Sequence, residues 1–279
     1  METRRVGGAL GAEVSGVDLS QPLDTATRDG IREALLKHLV LYFRNQRMTP
    51  DQLTALGAAF GTLNVHPFHQ AIADHDYVLE ILKLPEDSIN IGGHWHTDVT
   101  FLESPVMGSL LCAKEIPPTG GDTLFANTYL TYESLSPGMQ AMLGRLRAVH
   151  SAGKSFGAGA SDPGDWNLRG VTSAAADPRV HAEVEHPVLR THPETGRKTL
   201  FVNPSFTIRF AGMDDAESRP LLNYLCKLVE RPEFTFRLRW EKDMVTFLDN
   251  RCTQHYAIND YPGQRRLLHR VAINGERPV

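Results

Sequence analysis

Apolar and polar positions recur with two different periods along the chain, and strand-like segments outnumber helical ones. Apolar residues at helical spacing predict four helices, over residues 24–38, 49–61, 136–146 and 213–230. Short apolar or alternating runs predict strands near 5–20 and over 39–43, 106–113, 123–125, 185–202, 234–240, 244–249 and 267–273. Because helices and strands do not alternate regularly, a doubly wound α/β sheet is disfavoured. We expect a mainly β fold, a sandwich or barrel core with flanking helices.

Capping residues support the first two helices. Asp24 or Thr25 stands where the first helix begins, and both types favour the N-cap position. Thr49 and Pro50 open the second helix, as an N-cap residue followed by a proline in the first turn.

Residues 151–182 depart from both periods. The segment is rich in Gly, Ala, Ser and Asp and has little periodicity. Long loops inside compact domains are uncommon and often serve as active-site lids. We predict a lid loop here, with a disordered insertion as the alternative. No linker divides the rest, so a single domain over 1–279 is expected.

Composition excludes several classes of function. The net charge of −4 gives no basic face for nucleic acid. No apolar run approaches the roughly 18–20 residues of a membrane helix, and the N-terminus shows no secretory signal. Three widely spaced cysteines form no disulfide framework. We therefore expect a cytoplasmic protein that binds neither nucleic acid nor a membrane.

The sharpest candidate for chemistry is the string His-Trp-His-Thr-Asp at 94–98. In an extended chain, side chains two residues apart point to the same side, so His96 and Asp98 could face one ion. His94 would share that face, and the pattern alone does not choose between the two histidines. A histidine and a carboxylate are two of the three ligands in the facial triad that suits non-haem Fe(II). In a chain with 12 histidines, such a pair alone is weak support.

A second cluster lies near the C-terminus. Residues 249–255 end a strand and supply His255 as a distal third ligand, and Arg266 follows eleven residues later. An arginine binds a carboxylate through two parallel hydrogen bonds and stays charged. A solvated basic run, Arg265-Arg266, is the alternative interpretation.

Four ordered motifs resemble the taurine dioxygenase / 2,4-dichlorophenoxyacetate dioxygenase family. They read HTDVTF at 96–101, GGDT at 120–123, DNRCTQHY at 249–256 and QRRLLHR at 264–270. The likeness runs in register from about residue 7 to residue 277, nearly the whole chain.

The resemblance implies a double-stranded β-helix (jelly roll, cupin-like) that holds Fe(II) on His96, Asp98 and His255. It implies that Thr123 and Arg266 bind the far carboxylate of the co-substrate 2-oxoglutarate, and that O2 is the oxidant. The products would be succinate, CO2 and a hydroxylated substrate. A homo-oligomer, dimer or tetramer, is expected by the same analogy.

The resemblance also implies a pocket for a small anionic substrate, lined by His66, His69, Gly92, Ser155, Phe156, Phe206 and Arg270. Arg270 would face the anionic group, and a surface salt bridge is its alternative role. His69 and Gly92 stand where the taurine enzyme has Tyr and Asn, which help to hold the amine of taurine. We therefore expect a sulfonate, alkyl sulfate or aryloxyalkanoate with an apolar body, often with release of the leaving group.

Three alternatives stay open. The chain could be a taurine dioxygenase proper, releasing sulfite and aminoacetaldehyde. A zinc-dependent hydrolase could use the same ligands, although Thr123 and Arg266 would then have no role. A non-catalytic binding protein that kept the fold is the third.

Overall fold

A computed structural model describes residues 1–157 and 177–279, and within these ranges the protein is mainly β with flanking helices. The strands are β1 (Glu2–Arg5), β2 (Ala12–Ser15), β3 (Val40–Phe43), β4 (Leu79–Lys83), β5 (Gly108–Glu115), β6 (Thr123–Asn127), β7 (Arg147–Ser151), β8 (Glu183–Pro187), β9 (Leu189–Thr191), β10 (Lys198–Leu200), β11 (Thr207–Phe210), β12 (Thr235–Leu238), β13 (Val245–Asp249), β14 (Thr253–Ala257) and β15 (Arg266–Ile273). The α-helices are α1 (Thr25–His38), α2 (Pro50–Ala58), α3 (Thr128–Glu133), α4 (Pro137–Leu143), α5 (Gly153–Phe156) and α6 (Asp215–Val229).

The strands form one large and three small sheets. The large sheet has the order β1-β2-β3-β13-β5-β15-β4, and all its pairs are antiparallel except β2 with β3. The small sheets have the orders β12-β6-β14, β11-β7-β8 and β10-β9. Antiparallel pairing throughout most of the structure agrees with the predicted absence of a doubly wound fold.

Both faces of the large sheet are buried, which explains why its central strands read as continuous apolar runs. On β5, Leu110 and Cys112 belong to the core beneath α1 and α2, whereas Leu111 and Ala113 belong to a second core on the opposite face. Side chains alternate between faces with a period of two, so one strand supplies both cores. The second face is also where polar side chains of β5 and β15 collect.

The predicted helix starts are confirmed. The Asp24 side chain accepts a hydrogen bond from the Thr27 N–H at the start of α1. Thr49 and Gln52 form a reciprocal capping box at the start of α2. Each cap satisfies backbone N–H groups that have no partner inside the helix.

Some elements differ from the expectation. The sequence over 185–202 predicts strand with a hairpin turn at 193–196, and this turn is confirmed, because β9 and β10 pair antiparallel on either side of it. The strand before the turn is divided into β8 and β9, which was not predicted. Strands β4, β7, β11 and β14 were not predicted from the pattern, since they are short and carry polar side chains at buried positions, such as His150 on β7.

The predicted lid loop at 151–182 falls mostly on residues 158–176, which lie outside the described residues. At its ends the chain has regular structure. Ser151 completes β7, α5 follows it, and a 3-10 helix spans Pro178–His181.

In the described part of the chain, no helix combines the length and apolar character needed to cross a membrane.

Candidate active site

The predicted metal ligands come together where two distant segments pair. The N–H of His96 donates to the His255 carbonyl (3.1 Å), and the N–H of His255 donates to the His96 carbonyl (2.9 Å). This isolated bridge, next to β14, places the two imidazole rings 4.0 Å apart. Asp98 lies at the turn that follows, and its Oδ1 is 3.7 Å from Nε2 of His96 and 3.8 Å from Nε2 of His255.

The distances between these three donor atoms allow all three to bind one metal ion. They exceed the length of a hydrogen bond, so the donor atoms face a common point without bonding to each other. The His96 Nδ1 lies 2.7 Å from the His94 carbonyl oxygen, which directs Nε2 to that point. His94 thus contributes its backbone carbonyl. Of the two histidines that the sequence left open, it is His96 whose ring lies with Asp98 and His255.

The donor set fits Fe(II). Two imidazole nitrogens and one carboxylate form the facial triad that leaves positions open for other ligands. Among the described residues, no further His, Cys, Asp or Glu joins the group. A structural zinc site would need a fourth protein ligand.

Another group of metal-ligand types in the described chain, His192, Asp249 and Cys252, is a hydrogen-bonded network. Arg251 Nε donates to Asp249 Oδ1 (2.9 Å), and Oδ2 accepts from His192 Nε2 and from a second Arg251 nitrogen (3.1 and 2.8 Å). Because donors within the protein already occupy both carboxylate oxygens, we assign this network a structural role.

Asp98 is held by its backbone and by its side chain. The Asn250 Oδ1 accepts from the Asp98 N–H (2.8 Å), and its Nδ2 donates to the Asp98 carbonyl (3.1 Å). On the side chain, Oδ2 accepts from the Ser109 hydroxyl (2.8 Å) and is ion-paired with Arg270 (2.9 Å). Sequence reasoning gave no role to Ser109 or Asn250; the position of Asn250 inside the motif at 249–256 was the one available signal.

Electrostatics keep the ligands in metal-binding protonation states. Burial alone would raise the pKa of Asp98, but the neighbouring Arg270 and the two histidines outweigh it and hold that pKa well below its usual range. Burial lowers the pKa of His255 to about 3 and also lowers the pKa of His96. The carboxylate is therefore charged and the imidazoles neutral at pH 7, as metal coordination requires.

The predicted co-substrate pair lies in the same cavity. Arg266 is buried, and its Nε donates to the Gly121 carbonyl (3.0 Å). A terminal guanidinium nitrogen of Arg266 is 3.5 Å from the Thr123 hydroxyl, which also accepts from the Trp240 indole N–H (2.9 Å). Burial lowers the pKa of Arg266, and Tyr261 and Asp122 partly offset this effect. Among the described residues, no carboxylate is hydrogen-bonded to the Arg266 guanidinium.

The cavity also brings together most of the predicted substrate residues. Its walls include the three metal ligands, Thr123 and Arg266. They also include His66, His69, Gly92, Phe156, Phe206 and Arg270. Ser155 is placed elsewhere: it is buried beside Phe156, outside the cavity lining, and its hydroxyl donates to the Ser205 carbonyl (2.9 Å).

Two neutral histidines stand beside Arg270. The His66 Nδ1 accepts from the N–H groups of Phe68 and His69 (3.1 and 2.9 Å), so the proton of the neutral ring is on Nε2. Burial, assisted by Arg270, lowers the pKa of His69 to about 4 and that of His66 well below its usual value. Both imidazoles beside Arg270 are therefore neutral at pH 7.

Gly92 makes room above a metal ligand. Its φ of +79° lies in the left-handed region, and a Cβ there would be 3.2 Å from Cε1 of His96. Any side chain at this position would approach the imidazole ring and narrow the cavity.

The fold and the site define a class, the metal-dependent dioxygenases that use a two-histidine, one-carboxylate face with a buried arginine for a keto acid. The sequence profile of the taurine catabolism dioxygenase TauD, TfdA family matches residues 2–272, and the chain belongs to this family.

Similar proteins agree with this assignment. An alkylsulfatase from Acinetobacter baylyi is 37% identical over 99% of this chain and 86% of that protein. An alpha-ketoglutarate-dependent sulfate ester dioxygenase from Pseudomonas putida is 36% identical over 100% of this chain and 91% of that protein. The crystal structure of a taurine dioxygenase from Burkholderia xenovorans superposes with a TM-score of 0.83 at 36% identity, covering 100% of this chain and 90% of that one.

Proposed function

We propose that this protein is an Fe(II)- and 2-oxoglutarate-dependent dioxygenase that hydroxylates small organic anions, with alkyl sulfate esters as its best substrates. The observation that carries the proposal is one cavity with three functions. The three candidate metal ligands line the same cavity as two buried arginines, Arg266 and Arg270, and as several apolar side chains. The family and the named relatives establish the enzyme class.

His96, Asp98 and His255 would hold the iron. Bound Fe(II), with 2-oxoglutarate and O2, supplies the oxidising power to convert a C–H bond to C–OH, while 2-oxoglutarate ends as succinate and CO2. The protein's own contribution is to present one charged and two neutral donors from segments that are hydrogen-bonded to each other before a metal binds.

Arg266 and Thr123 would orient 2-oxoglutarate through its far carboxylate. The guanidinium is fixed by the Gly121 carbonyl and the hydroxyl by Trp240. A buried cation with no hydrogen-bonded carboxylate among the described residues favours an anionic ligand. Binding at this end sets the distance from the keto group to the metal ligands.

Arg270 would bind the substrate anion, with the Nε2–H of His66 as a second donor. Phe156 and Phe206 stack nearly parallel at 6.4 Å and form an apolar wall for the rest of the molecule. His69 and Gly92 leave this region without the Tyr and Asn that we associate with the amine of taurine. These features support an anion with an apolar tail over a zwitterion.

For an alkyl sulfate, hydroxylation of the carbon that carries the ester oxygen would give a hemiacetal sulfate. This product collapses to an aldehyde and inorganic sulfate. The carbon is oxidised by two electrons, and decarboxylation of 2-oxoglutarate supplies the other two electrons that O2 needs.

We further propose the remaining expectations as properties of this enzyme: a jelly-roll core, a single catalytic domain, a homo-oligomeric state and a cytoplasmic location. Antiparallel sheets on both sides of the cavity support the first. Family analogy supports the others.

The test is a substrate screen with Fe(II), 2-oxoglutarate and O2. Hexyl sulfate, hexanesulfonate, taurine and 2,4-dichlorophenoxyacetate would be compared by succinate release, with hexanal and inorganic sulfate measured for the ester. We expect hexyl sulfate to give succinate, hexanal and sulfate in equal amounts. Taurine as the best substrate would contradict the substrate class, and hexanol formed without O2 or 2-oxoglutarate would indicate a hydrolase.

A further inference from the structure

Ser109, on the cavity-facing side of β5, links two functional groups that the proposed mechanism treats separately. It is fully buried, and its hydroxyl donates to Oδ2 of Asp98 (2.8 Å). The same hydroxyl accepts from Nε of Arg270 (3.3 Å). One side chain therefore contacts both a metal ligand and the arginine proposed for the substrate anion.

For Asp98, the consequence is a difference between its two oxygens. Oδ2 accepts the Ser109 hydroxyl and is paired with Arg270. Oδ1 faces the Nε2 atoms of His96 and His255. With Oδ2 already engaged, a metal ion meets Oδ1, and the carboxylate cannot rotate to offer both oxygens without losing these contacts.

For Arg270, the consequence is a fixed guanidinium. Arginine has a long side chain, and fixing it in one conformation costs rotamer entropy. The Nε atom of Arg270 contacts Ser109 and its Nη2 atom contacts Asp98. These contacts fix the side chain when the protein folds, so the entropy is lost before any ligand binds. Arg270 lines the cavity, so its fixed guanidinium is available to a ligand there.

Burial of a hydroxyl on this sheet does not by itself produce hydrogen bonds like those of Ser109. Thr246, on the adjacent strand β13, is also fully buried, and its hydroxyl has no hydrogen-bond partner in the described structure. The contacts of Ser109 are therefore a property of its position beside the site, and Thr246 offers a matched control.

We propose that Ser109 is a positioning residue that presents Asp98 to the metal through one oxygen and sets Arg270 for the substrate anion. The first half concerns the protein and the metal alone. The second half rests on the proposed function, because it assumes that Arg270 binds the substrate.

The first half is tested by titrating the purified full-length protein with Co(II), without 2-oxoglutarate or substrate, and following the visible absorption of bound cobalt. Loss of an outer contact to a metal ligand commonly reduces metal affinity about 10- to 100-fold. We expect Ser109→Ala to show such a loss and Thr246→Val to stay within about threefold of the wild type. Thermal melts of both metal-free variants would show whether they differ in folding. An unchanged Co(II) affinity in Ser109→Ala, or an equal loss in both variants, would overturn the proposal.

The second half is tested by steady-state kinetics with hexyl sulfate at saturating Fe(II). We expect Ser109→Ala to raise KM for hexyl sulfate about tenfold or more, and KM for 2-oxoglutarate less than about threefold, because Arg266 and Thr123 do not contact Ser109. Ser109→Thr, which keeps the hydroxyl, should recover most of both the Co(II) affinity and the KM for hexyl sulfate. Equal rises in the two KM values, or no recovery with threonine, would contradict the positioning role. If hexyl sulfate is not a substrate at all, the proposed function fails while the cobalt titration still decides the role of Ser109 toward Asp98.

Discussion

Arg266 and Arg270 lie four residues apart on the same face of β15, yet their surroundings give them different chemistry. Arg266 contacts a backbone carbonyl and the Thr123 hydroxyl, both neutral. Arg270 contacts the Asp98 carboxylate. The first guanidinium is free to bind a further carboxylate through its fork, whereas part of the second is already committed to holding a metal ligand.

Replacing Arg266 with lysine should weaken binding of 2-oxoglutarate specifically. Lysine keeps the charge but loses the bidentate fork and the Nε–H bond to Gly121, which together correspond to about a 10- to 100-fold rise in KM for 2-oxoglutarate. Arg265→Lys is the matched control, because Arg265 is half exposed and paired with Glu115. It should change KM by less than about twofold. Similar KM values for the two variants would refute the assigned role of Arg266.

Replacing Gly92 with alanine should reduce metal binding and turnover in addition to the stability that is lost through backbone strain. Gly92 and Gly196 both have positive φ values, +79° and +69°, but a Cβ at Gly196 would meet nothing within 4 Å. Both alanine variants should lose about 1 kcal/mol in unfolding free energy. Only Gly92→Ala should also reduce Co(II) affinity and the turnover of long-chain alkyl sulfates, because its methyl group presses on His96. Equal turnover in the two variants would mean that the space above His96 is unimportant.

At the scale of elements, the site depends on how the turn between β13 and β14 meets the segment at 94–98. Asn250 in this turn pairs with the backbone of Asp98 and also donates to the Val106 carbonyl (3.0 Å). The bridge between His96 and His255 lies alongside. A short turn and one bridge thus hold segments about 150 residues apart in the sequence.

Removing the Asn250 side chain should destabilise the protein strongly. Asn250→Ala leaves one buried N–H and two buried carbonyls without partners, at about 1–3 kcal/mol for each lost bond before relaxation, so we expect a loss of about 2–5 kcal/mol. Asn259→Ala is the control, because this exposed amide donates a single bond to the Ser88 carbonyl (2.9 Å). Its loss should be below about 1 kcal/mol. Urea unfolding of both variants is the measurement. Equal losses of unfolding free energy would contradict the proposed role of Asn250 in holding the Asp98 segment.

At the scale of the whole molecule, many histidines are buried as neutral groups. Burial lowers the pKa of His186 and of His69 to about 4, below the value of 6.5 in an unfolded chain. Between pH 4 and pH 6.5 the unfolded state therefore binds more protons than the folded state. The free energy of unfolding must rise with pH across this window and be lost as the pH falls.

We expect the urea midpoint to fall steadily from pH 7 to pH 5, with a loss of several kcal/mol in total. His186→Gln should flatten this dependence, since the amide can still donate to the Thr100 and Leu102 carbonyls that His186 contacts (both 3.0 Å) and does not titrate. A midpoint that is flat or rises on acidification would contradict the buried neutral state.

The sequence by itself determined the family and many of the elements, and it indicated which residue types could bind a metal. Periodicity located α1, α2 and α6 and the strands β3, β5, β13 and β15 of the large sheet, because those patterns reflect burial on one or both faces. His96, Asp98 and His255 could be proposed because imidazole and carboxylate donors occur in ordered motifs. Periodicity and motifs can be recognised from the sequence because each is a pattern among residues that are close together in the chain.

Only the tertiary structure decided the contacts between distant segments. It assigned the His94 carbonyl to the ring of His96, gave Asp98 its partners Ser109 and Asn250, and placed Ser155 outside the cavity lining. The physical reason is register: which side chain of β5 faces Asp98 depends on how β5 pairs with β13 and β15. A shift of one residue would turn Ser109 to the opposite face of the sheet.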